Sequence, residues 1–317
     1  MDVWHDGECV DAPRIFVGLP QLLDQEAPDV VARYAIRAEA LGFAGLWTLD
    51  SVPGSATSRV PLLEGLHVVT TAAAVTDTIG LGIAVIVLPA RNAPVLAREL
   101  ATVDRLSGGR LTVGVGVGRK QPRGLGLPTG HRARRLEEGV AVLRALWAEG
   151  QAAYDGEYYR FEGMSLEPKP VQRPGPPVWF GAGSPPALRR AARLGDGWLG
   201  AGSSPPAAFP DQRGILVEAL REAGRDPDAF PIGKRVYIAV EDTEQRARER
   251  LTPILDGMYD APGLTERVAV CGPAEACAEQ LRGLVAAGAG VLLLNPMYDY
   301  LDQLEALATV AALVRDR

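Results

Sequence analysis

The chain has 317 residues, 47% hydrophobic and 23% charged, with a formal net charge of −6. That balance is ordinary for a soluble globular protein. It lacks the basic stripe with interleaved aromatics that a nucleic-acid surface requires, and no apolar run approaches the ~18 residues of a membrane span. The basic run from His131 to Arg135 is followed at once by Glu137 and Glu138, which reads as one solvated helix face. The opening MDVWHDGECVDAP is acidic and has no apolar core, so no secretory signal is expected there. Residues 1–14 are expected to be a tail and 15–317 the folded unit. Cys9, Cys271 and Cys277 form neither a C-x-x-C pair nor a disulfide framework, so free thiols in a reducing cytoplasm are expected. His5, His67 and His131 are far apart and make no H-E-x-x-H pattern, so no metal site is expected.

In chain order, Ile15 to Leu19 is a short apolar strand, and Pro28 opens a helix that Gly42 ends. Gly45 to Leu49 is a second strand, closing on Asp50-Ser51. A Pro-, Gly- and Ser-rich loop and a helical stretch from Pro61 to Val75 follow. No charge falls between Ile79 and Ala90, as in a strand buried on both faces. Pro94 suits a first helical turn. Leu96, Leu100, Val103 and Leu106 recur at helical spacing until Ser107-Gly108-Gly109 stops them. Leu111, Val113, Val115 and Val117 form the next strand, with Gly114, Gly116 and Gly118 between and after them. Residues 119–130 read as a loop, and Arg132 to Ala148 as an amphipathic helix. A small hairpin is expected around Asp155-Gly156. Further strands are read at Val178–Phe180, Gly197–Leu199, Arg235–Val240 and Gly290–Leu294, separated by helices at 187–194, 207–223, 243–255 and 274–287. Leu301 to Val314 is the last helix.

Eight strands alternating with helices imply a parallel sheet. Eight such units over about 300 residues fit a closed (β/α)8 TIM barrel. Two helices before the last strand indicate a short insertion after strand seven. In such a barrel the site lies at the C-terminal strand ends. The candidate positions are therefore Asp24, Asp50-Ser51, Ala84 to Val87, Gly116 to Lys120, Gly181 to Ser184 and Asn295.

The GVGVG run fails as a dinucleotide fingerprint, because its third glycine would fall on Arg119 or Gln121 and a loop follows. Its glycines serve either close backbone packing or approach to a ligand. No G-x-S-x-G elbow is present. Gly181-Ala182-Gly183-Ser184-Pro185 ends a strand and starts a helix, an arrangement that can hold a phosphate or simply cap the helix. Asp50 could orient a ligand or cap its own loop. His67 sits within a helical pattern and reads as a satisfied histidine. Arg119 and Lys120 either attract an anion or are solvated loop charges.

The stretch IGLGIAVIVLPARNAPVLARELATVDRLSGGRLTVGVGVG resembles the luciferase-like flavin and deazaflavin oxidoreductases, as do AEALGFAGLWTLD, VWFGAGSPPALRRAARLGDGW and GPAEACAEQLRGLVAAGAGVLLL. The resemblance implies an eight-stranded barrel binding coenzyme F420 or FMN, its ring over the end of strand three. A non-proline cis peptide would join Ala84 and Val85. Contacts would come from Asp50, Ser51, Ala84, Val85 and Val87, from Gly116, Val117 and Gly118, and the phosphate would sit on Gly181, Ala182, Gly183 and Ser184. Asp50 and Arg119 are the candidate catalytic positions. Where deazaflavin members often carry Asp-His, this chain has Asp50-Ser51. Where some sugar-phosphate dehydrogenases of the group carry a proton-donating glutamate, it has Arg119, so that substrate is not carried over. The expected activity is F420-dependent hydride transfer with a small organic substrate. The alternatives are an FMN-dependent monooxygenase and a non-catalytic flavin-binding barrel. Trp47, Arg91, Tyr154, Trp179 and Met297 are expected near the substrate pocket, and the family resemblance implies a homodimer.

Overall fold

The computed structural model describes residues 12–22, 29–53, 60–118, 126–127 and 130–316. Eight parallel strands close into a barrel. In ring order they are β1 (Arg14–Gly18), β2 (Gly45–Thr48), β3 (Gly80–Val87), β4 (Leu111–Gly116), β7 (Val178–Ala182), β8 (Gly197–Gly200), β9 (Ile232–Val240) and β11 (Val291–Asn295), which pairs back onto β1. All eight strands read from the sequence are present, because strands buried on both faces leave continuous apolar runs. Two further strands, β5 (Ala152–Asp155) and β6 (Arg160–Met164), form the antiparallel hairpin around Gly156.

Helices cover the outside: α1 (Val30–Ala40), α2 (Gly65–Val75), α3 (Ala93–Leu106), α4 (Arg132–Trp147), α5 (Pro185–Leu194) and α6 (Phe209–Glu222). The insertion after β9 consists of α7 (Glu244–Tyr259), α8 (Leu264–Val268) and a three-residue strand β10 (Val270–Gly272), before α9 (Ala274–Ala286), β11 and α10 (Tyr300–Arg315). β10 pairs with the far end of β9 and stands outside the ring. Helix ends follow the sequence. The Asn92 side chain caps α3 by accepting from Val95 N (3.2 Å), and Gly108 and Gly109 take positive φ after its last turn. α2 begins at Gly65 rather than Pro61, because the Glu64 carboxylate caps it by accepting from His67 N at 3.0 Å.

The barrel interior is plugged below the site by aromatic rings. Phe16 stacks on Trp47 and Trp47 leans on Trp179, each pair 5.6 Å apart. Glycines face these rings. A Cβ at Gly82 would lie 2.4 Å from Trp47 Cε2, and one at Gly197 would lie 2.5 Å from Trp179 Cε2. Large side chains opposite absent ones fill the barrel as a packed core. Trp47 and Trp179 thus belong to this plug and do not line the cavity above it. Cys271 and Cys277 are free and buried, and burial pushes both thiols up, to about 11 and about 12.

Candidate functional site

The site is built around an irregularity in β3. Ile83 pairs with Val113, but Ile86 pairs with Val115, so β3 carries one extra residue across that interval. The bulge is Ala84-Val85, and the peptide bond joining them is cis. The glycines of β4 face it at every second position. A Cβ at Gly114 would lie 2.2 Å from the Ile83 carbonyl oxygen, one at Gly116 2.6 Å from Val85 Cγ2, and one at Gly118, whose φ is +63°, 2.4 Å from Val87 Cγ1. On β7, the strand next to β4, a Cβ at Gly181 would lie 2.6 Å from Val85 Cγ1. The glycines therefore allow close packing: they let β4 and β7 approach the Val85 side chain, and Gly116, Gly118 and Gly181 also face the cavity.

Two polar side chains pin this bulge. Asp50, after β2, accepts from Val87 N at 2.9 Å and from Arg91 Nη2 at 2.6 Å. Arg91 also donates to Glu64 at 2.8 Å, and Glu64 accepts from His67 Nδ1 at 2.8 Å. Burial alone would raise the Glu64 carboxyl, but hydrogen bonds from His67 and Arg91 outweigh it and hold Glu64 below its ordinary value. The Asp50 side chain is only 3% exposed. With both oxygens engaged, it is a staple between β2 and β3. Arg91 is bound into this staple instead of lining the cavity. At the other end of the bulge, Arg235 in β9 donates from Nη1 to the Ala84 carbonyl at 3.0 Å and from Nε to Asn295 Oδ1.

Above the bulge opens a cavity of about 510 Å³. Asp50 and Ser51 reach it from β2, and Ala84, Val85 and Val87 from β3. Gly116, Val117 and Gly118 reach it from β4, and Gly181, Ala182 and Gly183 from β7. Most of the positions named from the sequence thus converge. Ser184, Ile86 and Asn295 are not on the wall, although Asn295 holds Arg235, and Asp24, Arg119 and Lys120 lie outside the described residues. Tyr154 and Met297 are not on the wall. Tyr154 packs against Phe161 in the hairpin, and Met297 belongs to the core beneath the insertion.

The helix start at Ser184 offers fewer donors than a typical anion site. Pro185 and Pro186 carry no N–H, and the next two N–H groups, of Ala187 and Leu188, both go to the Ser184 carbonyl at 2.9 Å. The Ser184 side chain makes no cap. Small-residue backbone supplies the surface instead: Gly181 to Gly183, and facing them Gly200 at the end of β8 and Ala201, Gly202 and Ser203 after it. A Cβ at Gly183 would meet only Gln212 Nε2, at 3.4 Å, so the backbone there stands open to a ligand.

The 200–204 loop, which sequence reasoning missed, is held from behind by Lys234. This side chain is 1% exposed and its Nζ donates to Ala201 O and Ser204 O at 2.5 and 2.7 Å. Burial, and secondarily the Arg235 charge, lower its pKa from 10.5 to about 8. Between those values the unfolded chain binds more protons than the folded one. Lys234's contribution to stability therefore rises as pH climbs from about 8 to about 10.5, and is lost as pH falls through 8. Its span is on the order of 3 kcal/mol. Urea titrations of the wild type and Lys234→Met are expected to show a stability difference that moves in the wild type's favour, by about 2 kcal/mol, between about pH 7 and about pH 10. A pH-independent difference would refute this.

The insertion supplies the remaining wall. Met258 and Tyr259 end α7, and Ala261 and Leu264 lead into α8. Tyr259 is tied down by a 2.6 Å bond between its hydroxyl and that of Tyr237 in β9. Asp256 anchors the turn below by accepting from Gly263 N and from Thr265 N and Oγ1. Among the described residues no three His, Cys, Asp or Glu side chains gather as a metal site would need, and no helix is long and apolar enough to cross a membrane.

A family model described as luciferase-like monooxygenase matches residues 15–262. The chain belongs to that family. Among its luciferase-like relatives is an FMNH(2)-dependent dimethylsulfone monooxygenase of Pseudomonas putida, 32% identical over 175 residues; the match covers 53% of this chain and 47% of that one, just under half its length. An F420-dependent glucose-6-phosphate dehydrogenase of Nakamurella multipartita is 29% identical over 252 residues, covering 75% of this chain and 71% of that one. Among solved structures, an F420-dependent secondary alcohol dehydrogenase in complex with an F420-acetone adduct superposes with a TM-score of 0.82 at 21% identity, covering 96% of this chain and all of that one. The FMN complex of the oxygenating constituent of 3,6-diketocamphane monooxygenase from Pseudomonas putida gives 0.76 at 17%, covering 96% of this chain and 99% of that one. At those identities the structural likeness shows the shared barrel. The luciferase-like family thus contains both deazaflavin and flavin enzymes.

Proposed function

We propose that this luciferase-like protein is a coenzyme F420-dependent oxidoreductase passing hydride between the deazaflavin and a small organic substrate. The observation that carries the reading is the cavity over the Ala84-Val85 bulge, walled by glycine backbone on β4 and β7 and floored by apolar side chains. A flat ring fits against such a floor, and a phosphate fits the open backbone of Gly181 to Gly183 and Gly200 to Ser203. When bound, the deazaflavin supplies a carbon centre that accepts or donates hydride. The protein supplies the rest. Asp50 and Arg235 fix the bulge, Lys234 fixes the loop facing Gly183, and Met258 and Tyr259 supply part of the wall. The described residues offer no free carboxylate on the wall, since Asp50 is engaged twice.

Preference for the deazaflavin over FMN draws on the F420-dependent relative, whose match spans three quarters of this chain. The FMN-dependent reading draws on the dimethylsulfone monooxygenase match. Titration of the purified apoprotein with coenzyme F420 and with FMN, followed by fluorescence, separates them. We expect binding of F420 in the micromolar range or tighter, an affinity of about −8 kcal/mol or better, and weaker binding of FMN. Binding of FMN alone would overturn the deazaflavin reading and direct assays to oxygen consumption. Binding of neither by folded protein would favour a non-catalytic barrel.

A further inference from the structure

The cavity carries an unbalanced charge. Asp50 and Arg235 are the two ionised side chains on its described wall. Asp50 is paired with Arg91, which Glu64 shares, whereas no carboxylate pairs with Arg235 among the described residues. The partners of Arg235 are neutral: the Asn295 amide oxygen, the Ala84 carbonyl and the face of the Tyr237 ring, 5.0 Å from the guanidinium carbon. A guanidinium has five N–H donors, and the two hydrogen bonds engage two of them, leaving three. A partly buried cation held by neutral groups gains most from a planar anion that accepts from its fork.

We propose that Arg235 is the anion-recognition residue of this cavity, pairing with a planar, delocalised anion of carboxylate shape. Two sources present that chemistry: the N1–C2=O edge of a reduced deazaflavin or flavin ring, and a carboxylate or enolate substrate. The first rests on the cofactor reading above; the second does not. Neutral ligands of the same shape leave the charge uncompensated, so the site discriminates by charge as well as by fit.

The test compares wild type with Arg235→Gln, which can still donate to Ala84 but is uncharged, and Arg235→Lys, which keeps the charge and loses the fork. Coenzyme F420 and FMN are titrated under nitrogen in oxidised and in dithionite-reduced form. Benzoate is titrated into the apoprotein and into protein saturated with oxidised cofactor. The expected result is a loss of about tenfold or more in affinity for the reduced cofactor, for benzoate, or for both in Arg235→Gln. Oxidised-cofactor affinity should stay within about threefold and Arg235→Lys should recover part of the loss. Loss confined to the reduced cofactor assigns the ring as the anion, and loss confined to benzoate assigns the substrate. Folded Arg235→Gln that binds reduced cofactor and benzoate like wild type overturns the proposal; if that variant does not fold, wild-type affinity for both in Arg235→Met overturns it. If wild type binds neither cofactor, the functional reading fails by itself. Benzoate binding to the apoprotein then decides: a loss of about tenfold in Arg235→Gln upholds the proposal, and no binding or no loss overturns it.

Discussion

Asp50→Ala is expected to lower stability by about 3 kcal/mol, since removing one member of a buried ion pair strands the other. The carboxylate is 3% exposed, whereas Arg91 is 28% exposed and keeps Glu64, which places the loss at the lower end for such pairs. The Val87 N–H loses its acceptor at the same time. The second consequence is functional. With Val87 released, the end of β3 is no longer fixed to β2, so the floor of the cavity loses its shape. Affinity for whichever cofactor binds is expected to fall about tenfold or more, as misplacement of a preorganised site does. Asp50→Asn retains an oxygen for Val87 N and should lose less on both counts. Urea denaturation and fluorescence titration read the two effects. If Asp50→Ala remains within about 1 kcal/mol of wild type, the carboxylate is not a staple.

Gly114→Ala is expected to cost about 3 kcal/mol or more, at the upper end for overpacking. The new methyl would stand 2.2 Å from the Ile83 carbonyl oxygen and 3.3 Å from Ala84 Cα. Both are backbone atoms at the bulge, so no side-chain rotation relieves the contact; β3 and β4 must separate or the bulge must move. Cofactor binding should fall with stability. Gly283→Ala is the control. It lies in α9, a Cβ there meets nothing within 4 Å, and the change should stabilise by about 0.5–1 kcal/mol. Urea midpoints of the two variants are expected to move in opposite directions. A Gly114→Ala protein as stable as wild type would mean that the strand spacing at the bulge is not set by the missing Cβ.

The same bulge shows how far the sequence carries. The apolar run Gly80–Val87 and the alternation in Leu111–Gly116 mark two buried strands, and the helical period of Leu96, Leu100 and Val103 marks the helix between them. Glycines at every second position of β4 mark a face where something approaches closely. Ile83, Val85 and Val87 stand where the three missing Cβ atoms would be, and Gly116 and Gly118 also line the cavity. β10 went unread because three residues between two helices show no period. It exists because β9, at nine residues, outruns its barrel neighbours and leaves an edge to pair.

Arg235 is the clearest case of what local pattern leaves open. Lys234 and Arg235 are adjacent cations in an apolar strand, and adjacent strand residues point to opposite faces. Period alone does not say which one faces the barrel interior, because that depends on the register of β9 against β8 and β11. Residues from the insertion, such as Met258 and Tyr259, reach the cavity through the packing of α7 over the barrel mouth, aided by the Tyr237 hydroxyl. By itself the sequence determined the eight strands, their helical partners and the strand ends where a site forms, since burial and helix capping are written in local residue order. The tertiary structure alone decided that Asp50 staples, that Lys234 braces a loop and that Arg235 faces the cavity without a carboxylate partner among the described residues. Each of those roles rests on which polar groups meet across the barrel, at separations of 30 residues or more along the chain.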